Sequence, residues 1–506
     1  MSQKRHQEAL MNFLKENFLL FIVFITGAAV LVIEVTATRI LAPYFGNTLF
    51  TISSIIGVVL GALSLGYYLG GILADRHPRL SVFFLLILAA GLFSLLIQLL
   101  SETFLPLLGE IFGMKTGPPA ASLILFFVPS LLLGMMSPFA IKLRARELKK
   151  IGKVSGSVFF WSTLGSIAGS FLTGFFLIPH WGISRIIFYT GILLITIGLF
   201  GGWLSRKNST KNRFQIFSLF LIIVVFVFSL ATLSRSLPKS ILFQKDGLYS
   251  RITIGNVRFQ EKEARFLYLD RSTEGGIFLE SDELPFAYTR YYSLYKIVNP
   301  QAEKALFLGG GAYSNPRKIL LEKNNIQRVD VVEIEPALYS LAQQYFKLPV
   351  ETRLFNHLTD GRRYLRETNQ RYDIIFADVY SSLYSIPIHF TTQEFFTLAE
   401  SRLAENGFFL MNIIGCLEGE GKDLLLSEIK TFRSIFENSY LFPVASSDKR
   451  ALQNYILLGL KNGSPIIDWS GEQRKPINPR DINLDSAFIL TDDFAPVEYL
   501  TAQLFH

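Results

Sequence analysis

The hydrophobic pattern divides the chain in two. Before residue 240, apolar residues run in long stretches at about 17–42, 49–74, 81–100, 119–141, 154–178, 183–204 and 214–233. Each approaches or exceeds the roughly 20 apolar residues a helix needs to cross a bilayer. The pattern therefore predicts about seven membrane spans over residues 1–239. Two small-residue pairs within the second stretch, Gly57-x-x-x-Gly61 and Gly66-x-x-x-Gly70, predict faces for close helix packing. Glu34 and Arg39 lie near the end of the first stretch. Charge there predicts either a polar site in the bundle or an interfacial anchor pair.

After residue 240 the period changes. Lys245 to Ile254 reads as a turn followed by an alternating strand, and Arg265 to Asp270 as another, so a small β-rich subdomain is expected over 240–300. Residues 301–506 then read as a doubly wound α/β domain. Ala305–Leu308 is a short apolar strand ending in Gly309-Gly310-Gly311, a helix-compatible stretch follows from Pro316, and Val329–Glu335 is a second strand. Strand, glycine turn, helix and strand form a βαβ unit. Tyr372–Asp378 and Gly407–Asn412 continue the parallel pattern. Ligands bind beyond the carboxyl ends of such strands. Gly309–Gly311, Glu333, Asp360 with Gly361, and Asp378 all fall at that edge. Glycines let backbone approach a ligand closely, and an acid at the position of Glu333 can accept both ribose hydroxyls.

Charge sharpens this division. Residues 1–239 hold 20 Lys+Arg against 7 Asp+Glu, and residues 240–506 hold 29 against 34. The net charge of +8 therefore belongs to the membrane half and is not a nucleic-acid signature. The loops after the even-numbered stretches hold 12 Lys/Arg and those after stretches one, three and five hold three. The positive-inside rule puts the N-terminus in the cytoplasm of a multi-pass cell (inner) membrane protein. Seven crossings would place the second half outside, whereas a nucleoside cofactor argues for the cytoplasm. The single cysteine, Cys416, and six scattered histidines give no metal-ligand spacing, so no metal is expected.

Five blocks, Gly309-Gly310-Gly311-Ala312-Tyr313, Val331-Val332-Glu333-Ile334-Glu335-Pro336, Asp360-Gly361-Arg362, Thr391-Thr392-Gln393-Glu394-Phe395 and Thr491-Asp492-Asp493-Phe494, carry a resemblance. They resemble the spermidine synthase (polyamine aminopropyltransferase) family, and the whole chain resembles its membrane-fused branch. The resemblance implies decarboxylated S-adenosylmethionine or S-adenosylmethionine as co-substrate. It implies that the glycine turn and Glu333 hold the methionine-ribose part, that Asp360 takes the adenine amino group, and that Asp378 is catalytic. Tyr249, Asp282, Tyr288 and Tyr380 stand near the implied acceptor site. The implied partner is a small-molecule amine, and a homodimer is left open. The chain departs from the family at Ser381, where a second acid is expected, at Ser250, where a glutamine is expected, and at Arg290, which stands in place of an acid. A different AdoMet-dependent transferase, such as a methyltransferase, and a transporter or sensor with a non-catalytic nucleoside domain therefore stay as alternatives.

Overall fold

The computed structural model describes residues 2–145, 147, 150–205, 238–379, 386–464, 466–470, 472 and 475–504, with side chains from Asn17 onward. The chain divides into two compact units, Met1–Ser236 and Leu237–His506. Among the described residues of the first, six helices are long and apolar enough to cross a membrane. They are α1 (Asn17–Phe45), α2 (Leu49–Arg76), α3 (Leu80–Ile111), α4 (Gly117–Arg144), α5 (Ile151–His180) and α6 (Ile183–Leu204). The seventh expected stretch, 214–233, lies outside the described residues. Two helices run past their expected ends: α1 continues through Pro43 to Phe45, and α3 through Pro106 to Ile111. Leu172–Leu177 within α5 is a π-helical turn.

Small residues set the helix crossings, because lipid leaves close van der Waals packing to hold helices together. On α5, Gly165 and Gly169 face the backbone of Phe24 and Ala28 on α1, and Ser166 Oγ donates to the carbonyl of Gly27 at 3.0 Å. Gly91 on α3 faces Gly191 and Ile195 on α6. Gly66 and Gly70 on α2 face Leu131, Gly134 and Met135 on α4, as expected. Gly57 and Gly61 do not: the space beside each is open to 4 Å. The reason is helical phase. Each member of the second pair follows its counterpart in the first by nine residues, which turns the second pair about 180° from the first. One pair faces a neighbour and the other faces away. At the helix ends, Asp75 of α2 pairs with Lys142 of α4 at 2.6 Å.

The second unit contains two sheets. Strands β1 (Ile241–Asp246), β2 (Arg251–Phe259), β3 (Lys262–Leu269) and β4 (Ser272–Phe278) form an antiparallel sheet in chain order. The larger sheet contains β5 (Lys304–Leu308), β6 (Arg328–Glu333), β7 (Leu354–Leu358), β8 (Tyr372–Ala377), β9 (Leu403–Gly415), β10 (Ser439–Pro443) and β11 (Gln453–Leu460). Its spatial order is β10-β11-β9-β8-β5-β6-β7. The five strands β9, β8, β5, β6 and β7 are parallel neighbours, and β11 runs antiparallel to β9 and β10. Order reverses at β5, which has β6 on one side and β8 on the other. Crossovers on the two sides leave a crevice at that switch point.

Both faces of the sheet are covered, which explains its unbroken apolar strands. Phe307, Val331, Ile374, Phe376, Phe408 and Leu410 point into one core, and Leu306, Leu308, Val332, Ile375, Ala377, Phe409 and Met411 into the other. The first core also takes in Ile252, Ile254, Leu267 and Ile277 of the small sheet. The small sheet thus packs on the same body as the large one.

Candidate active site

The glycine turn follows β5 and leads into α7 (Ser314–Leu321). Gly309 has φ +93° and Gly311 φ +50°, values that favour glycine. A side chain at Gly309 would collide with the carbonyl of Asp378, and one at Gly311 would start 2.5 Å from the carbonyl of Glu274. The turn is therefore closed in by the end of β8 on one side and by β4 on another. Gly310 lies beside Tyr313 and Glu333.

Glu333 ends β6 at 8% exposure. Its Oε2 accepts the amides of Gly310 (2.8 Å) and Gly311 (3.2 Å), and its Oε1 accepts the amide of Glu335 (2.8 Å). Burial pushes its carboxyl up, with these amides acting in opposition. The carboxylate thus fixes the shape of the glycine turn and retains acceptor capacity for ligand hydroxyls. Tyr249, in the turn between β1 and β2, gives its amide to Glu335 at 3.1 Å, which brings that turn beside the end of β6.

Asp378 follows β8. Its Oδ1 accepts from Asn412 Nδ2 at 3.0 Å, and Tyr288 hydrogen-bonds the same carboxylate. Asn412 is buried in β9, and its own carbonyl oxygen accepts from Asn454 Nδ2 of β11 at 2.9 Å. A chain of amides across three strands therefore orients the acid. Burial pushes the Asp378 carboxyl up, while Asn412 and Tyr288 pull it back.

Glu274 of β4 joins this cluster. Its carboxyl is pushed up to about 8, first by burial and then by the charges of Asp378, Glu333 and Asp270, with a hydrogen bond from Ser272 in opposition. Sequence reading missed Glu274 because it follows an isolated polar run, Ser272-Thr273, and only the fold carries β4 over the glycine turn. Asn412 and Asn454 were missed for a similar reason: an asparagine in an apolar strand is a visible anomaly, but its partner lies 42 residues away.

Asp360 caps α8 (Gly361–Glu367), accepting the amide of Arg363 at 2.8 Å, and its Oδ2 meets His389 Nε2 at 3.0 Å. Burial opposes its charge, but His389 and the helix amides outweigh it and hold the carboxyl below its usual value. Gly361 is buried beside Phe390. The neighbouring Arg362 forms a two-pronged pair with Asp492 at 2.7 and 2.6 Å, and Thr392 donates to Asp492 at 2.8 Å. The Asp360, Thr392 and Asp492 blocks therefore meet as a latch that ties the late chain to the sheet edge.

Two of the sequence candidates stand apart. Asp282 pairs with Arg317 at 2.5 Å, and that guanidinium and a hydrogen bond from it hold the Asp282 carboxyl low. Arg290 turns its Nε to the carbonyl of Leu284 at 3.0 Å and lends its charge to Glu283. Tyr380 lies outside the described residues.

A doubly wound sheet with a glycine turn and acids at its switch point is the frame of an AdoMet-type transferase fold. The chain is spermidine synthase-like: residues 291–445 match the spermine/spermidine synthase domain. It is 28% identical over 393 residues to the polyamine aminopropyltransferase of Leptospira interrogans, covering 74% of this chain and 75% of that one. It is 23% identical over 410 residues to polyamine aminopropyltransferase 2 of Aquifex aeolicus, covering 77% of each. Both alignments are longer than the second unit, so the likeness extends into the apolar helices of the first. A probable spermidine synthase from Corynebacterium glutamicum aligns with a TM-score of 0.40 at 22% identity, over 47% of this chain and 84% of that one. The chain is thus similar to polyamine aminopropyltransferases over about three quarters of its length.

Proposed function

We propose that the protein transfers an aminopropyl group from decarboxylated S-adenosylmethionine to a small amine, with Asp378 as the base. The observation that carries this reading is the Asp378 carboxylate, fixed by Asn412 and Tyr288 at the switch point beside the glycine turn. The residues present fit the co-substrate. The glycine turn lacks side chains where a ligand must approach, and Glu333 offers acceptors for ribose hydroxyls. The carboxyls of Glu274, Glu333 and Asp378 suit a cation.

When bound, the co-substrate supplies a sulfonium centre whose neighbouring carbon accepts a nucleophile. An aliphatic amine has a pKa near that of lysine, about 10.4, and arrives protonated. Asp378 orients the ammonium and accepts one proton, freeing the nitrogen lone pair. A nitrogen–carbon bond forms as the carbon–sulfur bond breaks, and the electron pair returns to sulfur to leave neutral methylthioadenosine. No acid is needed on the leaving side, so the protein's main task is alignment of the in-line displacement. Tyr288 donates to Asp378 and keeps its acceptor lobe pointed at the amine.

A methyl transfer from S-adenosylmethionine itself is disfavoured by the same acids, because its α-carboxylate would enter a cluster of like charge. We also place the soluble half on the cytoplasmic side, where a nucleoside cofactor is available. Isothermal titration of the full chain in detergent tests the reading. Decarboxylated S-adenosylmethionine and methylthioadenosine should bind, and S-adenosylmethionine more weakly. If none of the three binds, the proposal fails.

A further inference from the structure

Glu34 is the one acid of α1 from Asn17 onward, and it stands about a turn past the middle of that span. Arg39, five residues on, lies about 140° further around the helix axis. Among the described residues the Glu34 carboxylate has no hydrogen-bond or ion-pair partner, so the two do not form the anchor pair their spacing allowed. On the same side of α1, Val23, Val30, Ala37 and Leu41 are 6% exposed or less, whereas Glu34 is only half-buried. That face is closed above and below Glu34 and open at it.

Two neighbouring helices are irregular at the same depth. α5 runs alongside α1 in the same direction, with Gly165 against Phe24 and Gly169 against Ala28. Six residues further on, Glu34 comes level with Phe175, inside the π-helical turn Leu172–Leu177. Val32 packs in one cluster with Leu177 and Ile178 at the end of that turn, and the space beside Gly174 is open to 4 Å. α4 runs the opposite way, with Gly117 against the ring of Phe45. Eleven residues along from that contact, α4 comes level with Glu34 beside Pro129 and Ser130. Pro129 has no amide to give to the carbonyl of Leu125. Ser130 is 1% exposed, and among the described residues its hydroxyl has no hydrogen-bond partner.

Acids and unpaired polar groups are costly in lipid, and with interrupted helices near the midplane they mark the binding sites of membrane carriers. π-Helical turns also gather at functional sites. We propose that the membrane half holds a small organic ammonium ion at the level where α1, α4 and α5 are irregular, with Glu34 as its counter-ion, and carries it across the bilayer. The choice of a diamine or polyamine among organic cations rests on the aminopropyl reading above. An aliphatic ammonium has a pKa of about 10.4 by analogy with lysine and stays charged at pH 7. It brings several N–H donors for the Glu34 carboxylate, the Ser130 hydroxyl and the freed Leu125 carbonyl. Its methylene chain suits the apolar walls between the helices. A proton neutralises Glu34 equally well, but it leaves the Ser130 hydroxyl and the Leu125 carbonyl without partners.

The test uses the full chain in sealed proteoliposomes, with radiolabelled 1,4-diaminobutane outside and no co-substrate. Wild type should accumulate label well above protein-free liposomes. Glu34→Gln should slow uptake at least tenfold, Glu34→Asp should keep part of it, and Ser130→Ala should raise the half-saturating concentration more than it lowers the maximal rate. Methylthioadenosine release by the same Glu34→Gln preparation in detergent should stay within twofold of wild type, which shows that the chain is folded. Wild-type uptake no faster than in protein-free liposomes, or equal uptake by wild type and Glu34→Gln, would overturn the proposal. Internal acidification without label would assign Glu34 to a proton and overturn it too. Uptake that depends on Glu34, with no methylthioadenosine release from wild type, would support this site and sink the aminopropyl reading alone. Release without uptake would do the reverse.

Discussion

Asp378 owes its position to groups drawn from distant parts of the chain. Asn412 donates to it from β9, Asn454 donates to Asn412 from β11, and Tyr288 reaches it from the segment before β5. Replacing Asp378 by Asn keeps the shape and removes the base. A positioned general base is worth about 10² to 10⁴ in rate, so Asp378→Asn should lower turnover by that range while co-substrate affinity changes little. Methylthioadenosine release and isothermal titration on the same preparation separate the two effects. Because burial raises the carboxyl of Asp378, wild-type turnover should climb with pH as that group ionises. At this scale Glu333 and Asp378 were legible, since each ends or follows an apolar strand, while Asp360 was legible only from the Asp-Gly that opens a helix. Glu274 was not, because no local pattern signals that a polar edge strand will lie over a turn 35 residues further on.

At the scale of elements, the alternation of period was the reliable signal. Short apolar runs closed by glycine or acid correspond to β5, β6 and β8, because strands buried on both faces leave few polar positions, Asp330 in β6 being one. Helix boundaries were less legible. The apolar runs end near 42 and 100, but α1 and α3 continue through Pro43 and Pro106, since a single lost backbone bond is tolerated where neighbouring groups re-satisfy it. The pairs Gly57/Gly61 and Gly66/Gly70 look alike in sequence, and helical phase alone assigns them to opposite surroundings. Helix α9 (Lys422–Arg433) carries a feature that the sequence pattern hides. Glu428 is fully buried and, among the described residues, neither carboxyl oxygen has a hydrogen-bond partner. Burial raises its carboxyl from 4.5 to about 8. The folded chain then keeps a proton that the unfolded chain gives up between pH 4.5 and 8, so this group's contribution to stability falls as pH rises through that window. Glu428→Met should stabilise the chain by about 1–3 kcal/mol at pH 8, the usual cost of a buried unsatisfied polar group, and by less at pH 5. Thermal denaturation in detergent at the two pH values measures this. A gain of equal size at both, or a loss at pH 8, would contradict it.

At the scale of the molecule, six apolar helices precede an α/β transferase fold, and the likeness to aminopropyltransferases spans both parts. The two-part plan was legible because lipid and water impose different hydrophobic periods on one chain. Sidedness was harder to read, because it turns on the parity of the crossings, and the stretch 214–233 decides that parity. The central claim is aminopropyl transfer by a cytoplasmic soluble half, and vesicles test it most directly. Decarboxylated S-adenosylmethionine and a diamine are added to membrane vesicles carrying the full chain, either inverted or right-side-out, and methylthioadenosine is measured. The account predicts release from inverted vesicles, little from sealed right-side-out ones, and near-complete loss with Asp378→Asn. Release from right-side-out vesicles alone would overturn the sidedness, and no release from either preparation would contradict the transfer itself.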